Sequence, residues 1–282
     1  SAAYNAAAVP DAMTTIATGG FSTHDDSIGH FNSAAIDIII TVGMIVGSLP
    51  FLLYLLAIQG NPGRLFRDSQ VQWFLTILLI VIALVGGWLW LGQNIDPVQA
   101  LRLASFNVVS VMTGTGYVTA GFDNWGSFVL PIFFFIMFVG GCAGSTTCGI
   151  KIFRFQVIYA AARTQFQSLA QPHGVFIPYY NRNPIPDEVT NSVMSFFFIF
   201  GATFAVLAIL LAMLGLDFLT SVSAAASAIA NVGPGLGPVV GPEGSYTSLP
   251  VAAKWILSAG MLLGRLELFT VMVLFTRTFW RA

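Results

Sequence analysis

Three short glycine-containing stretches could bind a cation through their backbone carbonyl groups. They are Met13-Thr-Thr-Ile-Ala-Thr-Gly-Gly-Phe-Ser-Thr23, Ser110-Val-Met-Thr-Gly-Thr-Gly-Tyr-Val-Thr119 and Ser227-Ala-Ile-Ala-Asn-Val-Gly-Pro-Gly-Leu236. Glycine tolerates positive φ and close backbone approach, so successive carbonyl oxygens can face one axis. Rings of such oxygens replace the hydration shell of an alkali cation. None of the three stretches contains Asp or Glu, which argues against a carboxylate site for a divalent cation.

The three stretches recur at equivalent places along the chain. Their glycines Gly20, Gly116 and Gly233 are separated by 96 and 117 residues. The segment that precedes the second stretch, 99–113, would reach only about 22 Å as a helix, which is too short to cross the bilayer. We therefore predict a re-entrant pore helix followed by an extended loop in each of three repeats. For any single stretch, close helix packing through small residues is the alternative.

The composition indicates that lipid surrounds most of this chain. Of its 282 residues, 56% are apolar and only 8% are charged, whereas a soluble domain carries roughly 25% charged residues. The net charge of -1 excludes a nucleic-acid binder, which needs a basic face. Two cysteines, Cys142 and Cys148, are too few for a disulfide framework or a four-thiolate metal site. The sequence therefore predicts an integral membrane protein.

Four apolar runs are long enough to cross the membrane as helices: 34–58, 71–92, 189–216 and 249–276. A fifth run, 127–139, ends after 13 residues at a glycine pair. Eight of the 11 basic residues fall on one side of these runs: Arg64, Arg67, Lys151, Arg154, Arg163, Arg182, Arg277 and Arg281. The positive-inside rule makes that side cytoplasmic and places the glycine stretches outside.

The predicted fold class is an all-α integral membrane protein of repeated span–pore helix–loop–span units, with one broken inner helix. We expect a partial repeat over 1–59, a complete repeat over 60–165, a cytoplasmic linker over 166–186 and a complete repeat over 187–282. The first 33 residues carry neither a signal peptide nor an outer helix. The sequence is therefore expected to begin within a repeat.

Five motifs resemble one family of transporters. Thr18-Gly-Gly-Phe-Ser22, Gly114-Thr-Gly-Tyr-Val118 and Asn231-Val-Gly-Pro-Gly235 resemble the filter loops of the Trk/Ktr/HKT superfamily of potassium transporters. The run Gly-Gly-Cys-Ala-Gly-Ser-Thr-Thr-Cys-Gly-Ile-Lys at 140–151 and Gly-Arg-Leu-Glu-Leu-Phe at 264–269 are similar to the bacterial TrkH branch. The resemblance covers essentially the whole chain.

The resemblance implies potassium uptake across the cell inner (cytoplasmic) membrane through four repeats around a pseudo-fourfold pore. The missing first repeat would belong to the same polypeptide. The resemblance also implies a homodimer and a cytoplasmic, nucleotide-binding TrkA-like regulatory ring. Together with the carbonyl argument, it assigns K⁺ in a selectivity filter to the backbone of Thr18, Gly19, Gly20, Phe21, Gly114, Thr115, Gly116, Tyr117, Asn231, Val232, Gly233 and Pro234.

The ten residues that follow the fifth apolar run favour an unwound segment inside the membrane. Glycine in a helix interior costs about 1 kcal/mol relative to alanine, and four of these ten residues are glycine. The resemblance makes the segment an intramembrane gate below the filter. The predicted gate residues are Gly140, Gly141, Gly144, Ser145, Thr146, Thr147, Gly149, Lys151 and Arg265.

Arg265 lies in the last apolar run, where a charge is costly and usually faces water or a partner. Aligning the inner helices on Pro131 and Pro250 places Arg265 level with Thr146. A simple helix kink is the alternative to the gate. A structural ion pair, for example with Glu267, is the alternative role for Arg265.

Other functions are compatible with parts of the sequence. A secondary transporter for another small cation such as sodium would also use glycine-broken helices. His24, Asp25, Asp26 and His30 follow the first glycine stretch, where they could bind a metal or attract cations into a solvated vestibule. Neither a phosphate-binding loop nor a nucleophile elbow is found in the sequence, so an enzyme is not predicted.

Overall fold

The computed structural model describes residues 2–181, 183–266, 270, 271, 273, 279 and 280. Within them, the α-helices in chain order are α1 (Ala2–Ile16), α2 (Ala34–Gly47), α3 (Phe51–Ile58), α4 (Gly63–Arg67), α5 (Ser69–Gln93), α6 (Pro97–Thr113), α7 (Val129–Ile136), α8 (Ile152–Ala170), α9 (Asp187–Met213), α10 (Phe218–Ala230) and α11 (Val251–Arg265). Two short strands, β1 (Tyr179–Tyr180) and β2 (Asn183–Pro184), pair antiparallel between α8 and α9.

Two helices, α5 and α9, are each long and apolar enough to cross a bilayer. Helices α2 and α3 qualify only as a pair, because they are bent by 93° at the break between them. The apolar run over 34–58, predicted as a span, is therefore divided into two helices by a sharp break that the sequence analysis did not predict. Pro50 lacks a backbone N–H and disfavours helical backbone at Leu49, and the Ser48 hydroxyl donates back to the Met44 carbonyl at 2.7 Å.

The short helices α1, α6 and α10 each end inside the protein instead of crossing it. Asp96 caps the start of α6 and Asp217 caps the start of α10, and each carboxylate accepts backbone N–H groups of the first turn. Helix α6 packs between α5 and α2, and α10 packs between α9 and α11. The last eight residues of α10 are all buried. These contacts support the prediction that each short helix ends within the protein and is followed by a loop.

The inner helix of the second repeat is broken, as predicted. Helix α7 ends at Ile136 and helix α8 begins at Ile152. The two ends of the intervening segment are held together by a parallel bridge between Val139 and Ile150. In this bridge the Gly140 N–H donates to the Ile150 carbonyl at 2.9 Å, and the Ile150 N–H donates to the Phe138 carbonyl at 3.0 Å. The intervening residues therefore form a loop with a closed neck.

Several predictions fall on residues that the structure does not describe. Glu267, Arg182, Arg277 and Arg281 all lie outside the described residues. Most of the predicted continuation of α11 toward Thr276 lies there as well. Helix α8 runs through the predicted boundary between 165 and 166, and the repeat boundaries remain predictions.

Candidate functional site

The three predicted loops share one backbone conformation. In each loop the first and third residues have positive φ, the left-handed region that glycine and asparagine tolerate best. The first residues are Thr18 (φ 48°), Gly114 (φ 69°) and Asn231 (φ 54°), and the third are Gly20 (φ 67°), Gly116 (φ 82°) and Gly233 (φ 107°). Alternation of this kind along the chain lets neighbouring carbonyl groups point in similar directions.

Each loop is anchored to the end of its own short helix in the same way. The anchors are Thr14, Ser110 and Ser227, which are separated by the same 96 and 117 residues as the glycines. The amide five residues later donates to each anchor carbonyl: Gly19 to Thr14 at 2.8 Å, Thr115 to Ser110 at 3.0 Å and Val232 to Ser227 at 3.0 Å. The loop therefore satisfies carbonyls that the helix end would leave unpaired.

The hydroxyl groups of the anchors distinguish the third loop from the first two. Thr14 donates to the Phe21 carbonyl at 2.8 Å and Ser110 donates to the Tyr117 carbonyl at 2.7 Å. In the third loop, Ser227 donates instead to Gly233, one position earlier in register, at 2.9 Å.

Neighbouring loops approach each other through their glycines. A methyl group on Gly20 would lie 1.8 Å from the Thr115 carbonyl oxygen, and one on Gly116 would lie 2.2 Å from that of Val232. A side chain at either position would therefore collide with the backbone of the next loop. The three loops line a shared cavity of about 450 Å³.

The side chains of Phe21 and Tyr117, at equivalent positions of the first two loops, differ in burial. Tyr117 is fully buried, and its hydroxyl lies 2.9 Å from the Asp11 carbonyl oxygen and 2.6 Å from the Thr14 hydroxyl oxygen, within hydrogen-bond distance of both. Phe21 is 76% exposed. The second loop is therefore tied through Tyr117 to the helix of the first repeat.

One part of the cavity wall carries ionisable side chains. His24 and Asp25 line the cavity, and the rings of His24 and His30 stack at 3.9 Å. In the part of the chain that the structure describes, no group of three or more His, Cys, Asp or Glu side chains is placed to hold a metal. The role of this cluster as a vestibule that attracts cations remains a prediction.

The predicted gate segment lies directly beside the inner end of the first loop. The Thr146 hydroxyl contacts the Thr18 hydroxyl at 3.2 Å and donates to the carbonyls of Ile16 at 3.1 Å and Gly47 at 3.0 Å. Backbone contacts extend this attachment, because the Cys142 N–H donates to the Ser48 carbonyl at 3.1 Å. The break between α2 and α3 therefore provides the carbonyls that hold the gate segment.

Hydrogen bonds inside the gate segment fix its shape. The Gly141 N–H donates to the Thr147 hydroxyl at 3.1 Å, and the Ser145 hydroxyl donates to the Cys142 carbonyl at 2.6 Å. The Lys151 ammonium folds back to donate to the Thr147 carbonyl. Gly144 and Gly149 adopt φ of 76° and 73°. Part of the unwound backbone, including the N–H groups of Gly141 and Cys142, thus finds acceptors within the protein, as a membrane environment favours.

Arg265 reaches the gate segment from α11. Its guanidinium contacts the Thr146 carbonyl at 3.5 Å and the Cys148 thiol, in agreement with the level predicted from sequence. Arg265 and Gly264 line a cavity of about 350 Å³ together with residues 144–149. The structure therefore brings together the predicted gate residues, and their role remains a prediction.

Two features of the site were not predicted. The break over 48–50 was hidden within a long apolar run, although Gly47-Ser-Leu-Pro50 contains two residues typical of helix ends. Tyr246 was also missed, and its hydroxyl donates to the Gly233 carbonyl at 2.8 Å. No periodic signal in the sequence marks this tyrosine, since it lies in a short turn 13 residues from its partner.

The sequence and the structure both match known proteins. The sequence model of the TrkH family, described as a cation transport protein, matches residues 4–281. The Trk system potassium uptake protein TrkI of Halomonas elongata is 47% identical over 97% of this chain, and TrkH of Escherichia coli is 32% identical over 97%. The crystal structure of the potassium transporter TrkH from Vibrio parahaemolyticus matches 95% of this chain with a TM-score of 0.88 and 33% identity.

These matches cover only part of the longer relatives. The chain spans 56% of the length of the two curated relatives and 57% of the crystallised chain. Its architecture is 66% helix with almost no strand, and it agrees with the crystallised transporter, so the predicted all-α fold class is confirmed.

Proposed function

This chain belongs to the TrkH family of cation transport proteins, and from that premise we propose that it contributes to potassium uptake through a filter lined by backbone carbonyls. The proposal assigns the filter to the three loops described above. It follows the names of the relatives, which are potassium uptake proteins. A transport role rather than catalysis is part of the proposal.

The observation that carries the proposal is the repeated backbone conformation of three loops around one cavity. Each loop follows a short helix whose carboxyl end adds partial negative charge near the cavity. The loops contain no carboxylate, so backbone oxygens would do the coordinating, as alkali cations prefer. Close approach at Gly20 and Gly116 supports the same assignment, because it leaves no room for side chains between the loops.

We further propose that residues 140–149 form a movable barrier below the filter. The contacts of Thr146 with Thr18 and Ile16 support this position, because both partners lie at the start of the first loop. In this proposal Arg265 stabilises the closed arrangement. Its positive charge would also oppose cations that leave the filter toward the cytoplasm.

Localisation and partners follow from the same family. We propose a multi-pass protein of the cell inner membrane with its filter loops facing outside and with Arg64, Arg67 and Arg154 on the cytoplasmic side. The relatives are named as proteins of a Trk system, and this name supports the proposal that the protein assembles with further subunits. A homodimer and a cytoplasmic, nucleotide-binding TrkA-like ring are the partners that we propose.

The proposal is tested by a map of the natural polypeptide that carries this sequence, prepared in Rb⁺ as a heavy substitute for K⁺. We expect an ion peak among the carbonyls of the three loops. A matched map in Na⁺ should lack that peak, which separates potassium selectivity from the alternative of a sodium-coupled transporter. The same polypeptide should restore growth on low potassium to cells that lack their own potassium uptake. No peak in Rb⁺ together with no growth would overturn the proposal.

A further inference from the structure

The carbonyl oxygen of Gly233 accepts two hydroxyl donors. The Ser227 hydroxyl lies 2.9 Å away and the Tyr246 hydroxyl lies 2.8 Å away. A carbonyl oxygen has two lone pairs, so these two hydrogen bonds occupy both of them. The Ser227 hydroxyl oxygen also accepts the Gly233 N–H at 3.1 Å, which holds the peptide on both sides.

The equivalent carbonyls of the first two loops are not held in this way. Among the described residues, no hydrogen bond to the carbonyl of Gly20 or Gly116 is formed. The anchor hydroxyls of those repeats donate one residue further along, to Phe21 and Tyr117. The carbonyl oxygens of Gly20 and Gly116 therefore keep both lone pairs available, whereas that of Gly233 keeps neither.

The sequence supplies the second donor only in the third repeat. Tyr246 begins the short turn Tyr246–Ser248 that leads into α11. The corresponding segments between loop and inner helix, 22–33 and 120–128, contain no tyrosine. The third loop thus differs from the first two both in its hydrogen bonds and in having a tyrosine before its inner helix.

We infer that Tyr246 is a positioning residue that, together with Ser227, withholds the Gly233 carbonyl from the ion path. Ion ligands at this level then come from Gly20 and Gly116 and not equally from all three loops. This inference rests on the proposed function of the loops as a filter. Because the number of carbonyl ligands influences the preference between K⁺ and Na⁺, Tyr246 limits the selectivity of the filter.

The test is the Tyr246→Phe variant of the natural polypeptide, in which the ring remains and only the donor is lost. One lone pair of the Gly233 carbonyl becomes available, and an added carbonyl ligand favours the larger ion. We expect the ratio of half-saturating Na⁺ to K⁺ concentrations to rise about threefold, which corresponds to roughly 0.7 kcal/mol. An unchanged ratio, or a shift toward Na⁺, overturns the inference.

The matched control is Tyr54→Phe. The Tyr54 hydroxyl also donates to a backbone carbonyl, that of Val46 at 2.6 Å, but neither residue lines the cavity of the three loops. Its removal should leave the ion ratio unchanged. Ser227→Ala frees the other lone pair of Gly233 and should shift the ratio in the same direction as Tyr246→Phe.

A measurement on the unmodified protein keeps the inference testable if the variants do not fold. In the Rb⁺ map, an ion at this level should contact the oxygens of Gly20 and Gly116 and stay outside coordination distance of Gly233. An ion in equal contact with all three oxygens overturns the inference while leaving the proposed function intact. The absence of any ion among the loops, with no potassium uptake, overturns both.

Discussion

Two regions contain glycine-rich, non-helical backbone next to a helix end: the three loops that we propose as the filter and residues 140–149 that we propose as the gate. They are held by different kinds of contact. Each filter loop is bound mainly to its own helix, through an anchor five to seven residues away. The gate segment is bound to other repeats, and its contacts with Ile16 and Arg265 bridge 130 and 119 residues of sequence. Local contacts fix the shape of a loop. Contacts with other repeats make the position of a segment depend on how those repeats are arranged.

The largest expected effect comes from disturbing the local geometry of a filter loop. In Gly116→Ala, the added methyl would lie 2.2 Å from the Val232 carbonyl at a φ of 82°. Strain of this kind costs about 1–3 kcal/mol. If the loop loses that much of its preference for K⁺, discrimination between K⁺ and Na⁺ should fall roughly fivefold to hundredfold. Competitive uptake of the two ions measures the change.

The control for Gly116→Ala is Gly87→Ala in α5, where an added methyl meets nothing within 4 Å. It should retain the ion preference of the unmodified protein. If both alanine variants discriminated equally well, the second loop would not be part of the filter.

A smaller effect is expected when a contact between repeats is removed from the gate. Arg265→Ala deletes the guanidinium that contacts the Thr146 carbonyl. A charge-assisted hydrogen bond contributes about 1.5–3 kcal/mol, so flux in the unstimulated state should rise at least about tenfold at equal protein level. Tracer flux into proteoliposomes measures this, with ion preference unchanged.

Lys254→Ala is the matched control on the same helix. The Lys254 ammonium donates to the Thr247 carbonyl at 2.8 Å, at the opposite end of α11 from Arg265. Its loss should not raise flux. A steady or reduced flux in Arg265→Ala would make Arg265 a structural residue and not a latch.

A third variant separates the hydroxyl contacts of the gate from its charge contacts. Thr146→Val keeps the shape of the side chain but removes the bonds to the carbonyls of Ile16 and Gly47. At about 1 kcal/mol for a neutral hydrogen bond, unstimulated flux should rise about fivefold. Thr203→Val, which loses only a local bond within α9, should behave like the unmodified protein. Equal flux in the two variants would show that the hydroxyl of Thr146 does not hold the gate closed.

The smallest effect concerns an electrostatic interaction between two repeats, that of Asp123 with Glu243. Burial, with a contribution from nearby Glu243, raises the pKa of Asp123 above its usual value of 3.8. The ionised carboxylate is therefore disfavoured in the folded state, and it lowers the free energy of unfolding at neutral pH. Asp123→Asn should raise the melting temperature at pH 7 by on the order of 1 °C, and the difference should vanish as the pH falls below 3.8.

Asp217 provides the control of opposite sign. Hydrogen bonds from Thr220 lower the pKa of Asp217, so its stabilising effect is present at neutral pH and is lost as the pH falls through its lowered pKa. Asp217→Asn should lower the melting temperature at pH 7. Shifts of the same sign in both variants would contradict this assignment of the two carboxylates.

The sequence was sufficient for the parts of the site that depend on local chemistry. Glycine spacing located the three loops because the conformation of each is set within about eight residues of its anchor. The register on Pro131 and Pro250 also placed Arg265 beside Thr146, although only Arg265 lies on a helix and Thr146 lies in the unwound segment after α7.

Contacts between repeats could not be predicted from the same signals. The bond from Cys142 to Ser48 depends on how two helix breaks come together, and no periodicity encodes that. The break before Pro50 was not predicted, because the length of the apolar run 34–58 was given more weight than the proline within it. The orientation of Tyr246 depends on the turn before α11, which connects parts of one repeat through irregular backbone.

The closed neck of the gate segment has a consequence for the speed of opening. The bridge between Val139 and Ile150 pins the two ends of the segment together, so helices α7 and α8 can remain in place while the residues between them move. Loop motions take nanoseconds to microseconds, whereas collective helix motions take microseconds to milliseconds. Openings by the loop alone would therefore be too brief to resolve in a current recording and would be seen only as a lowered average conductance.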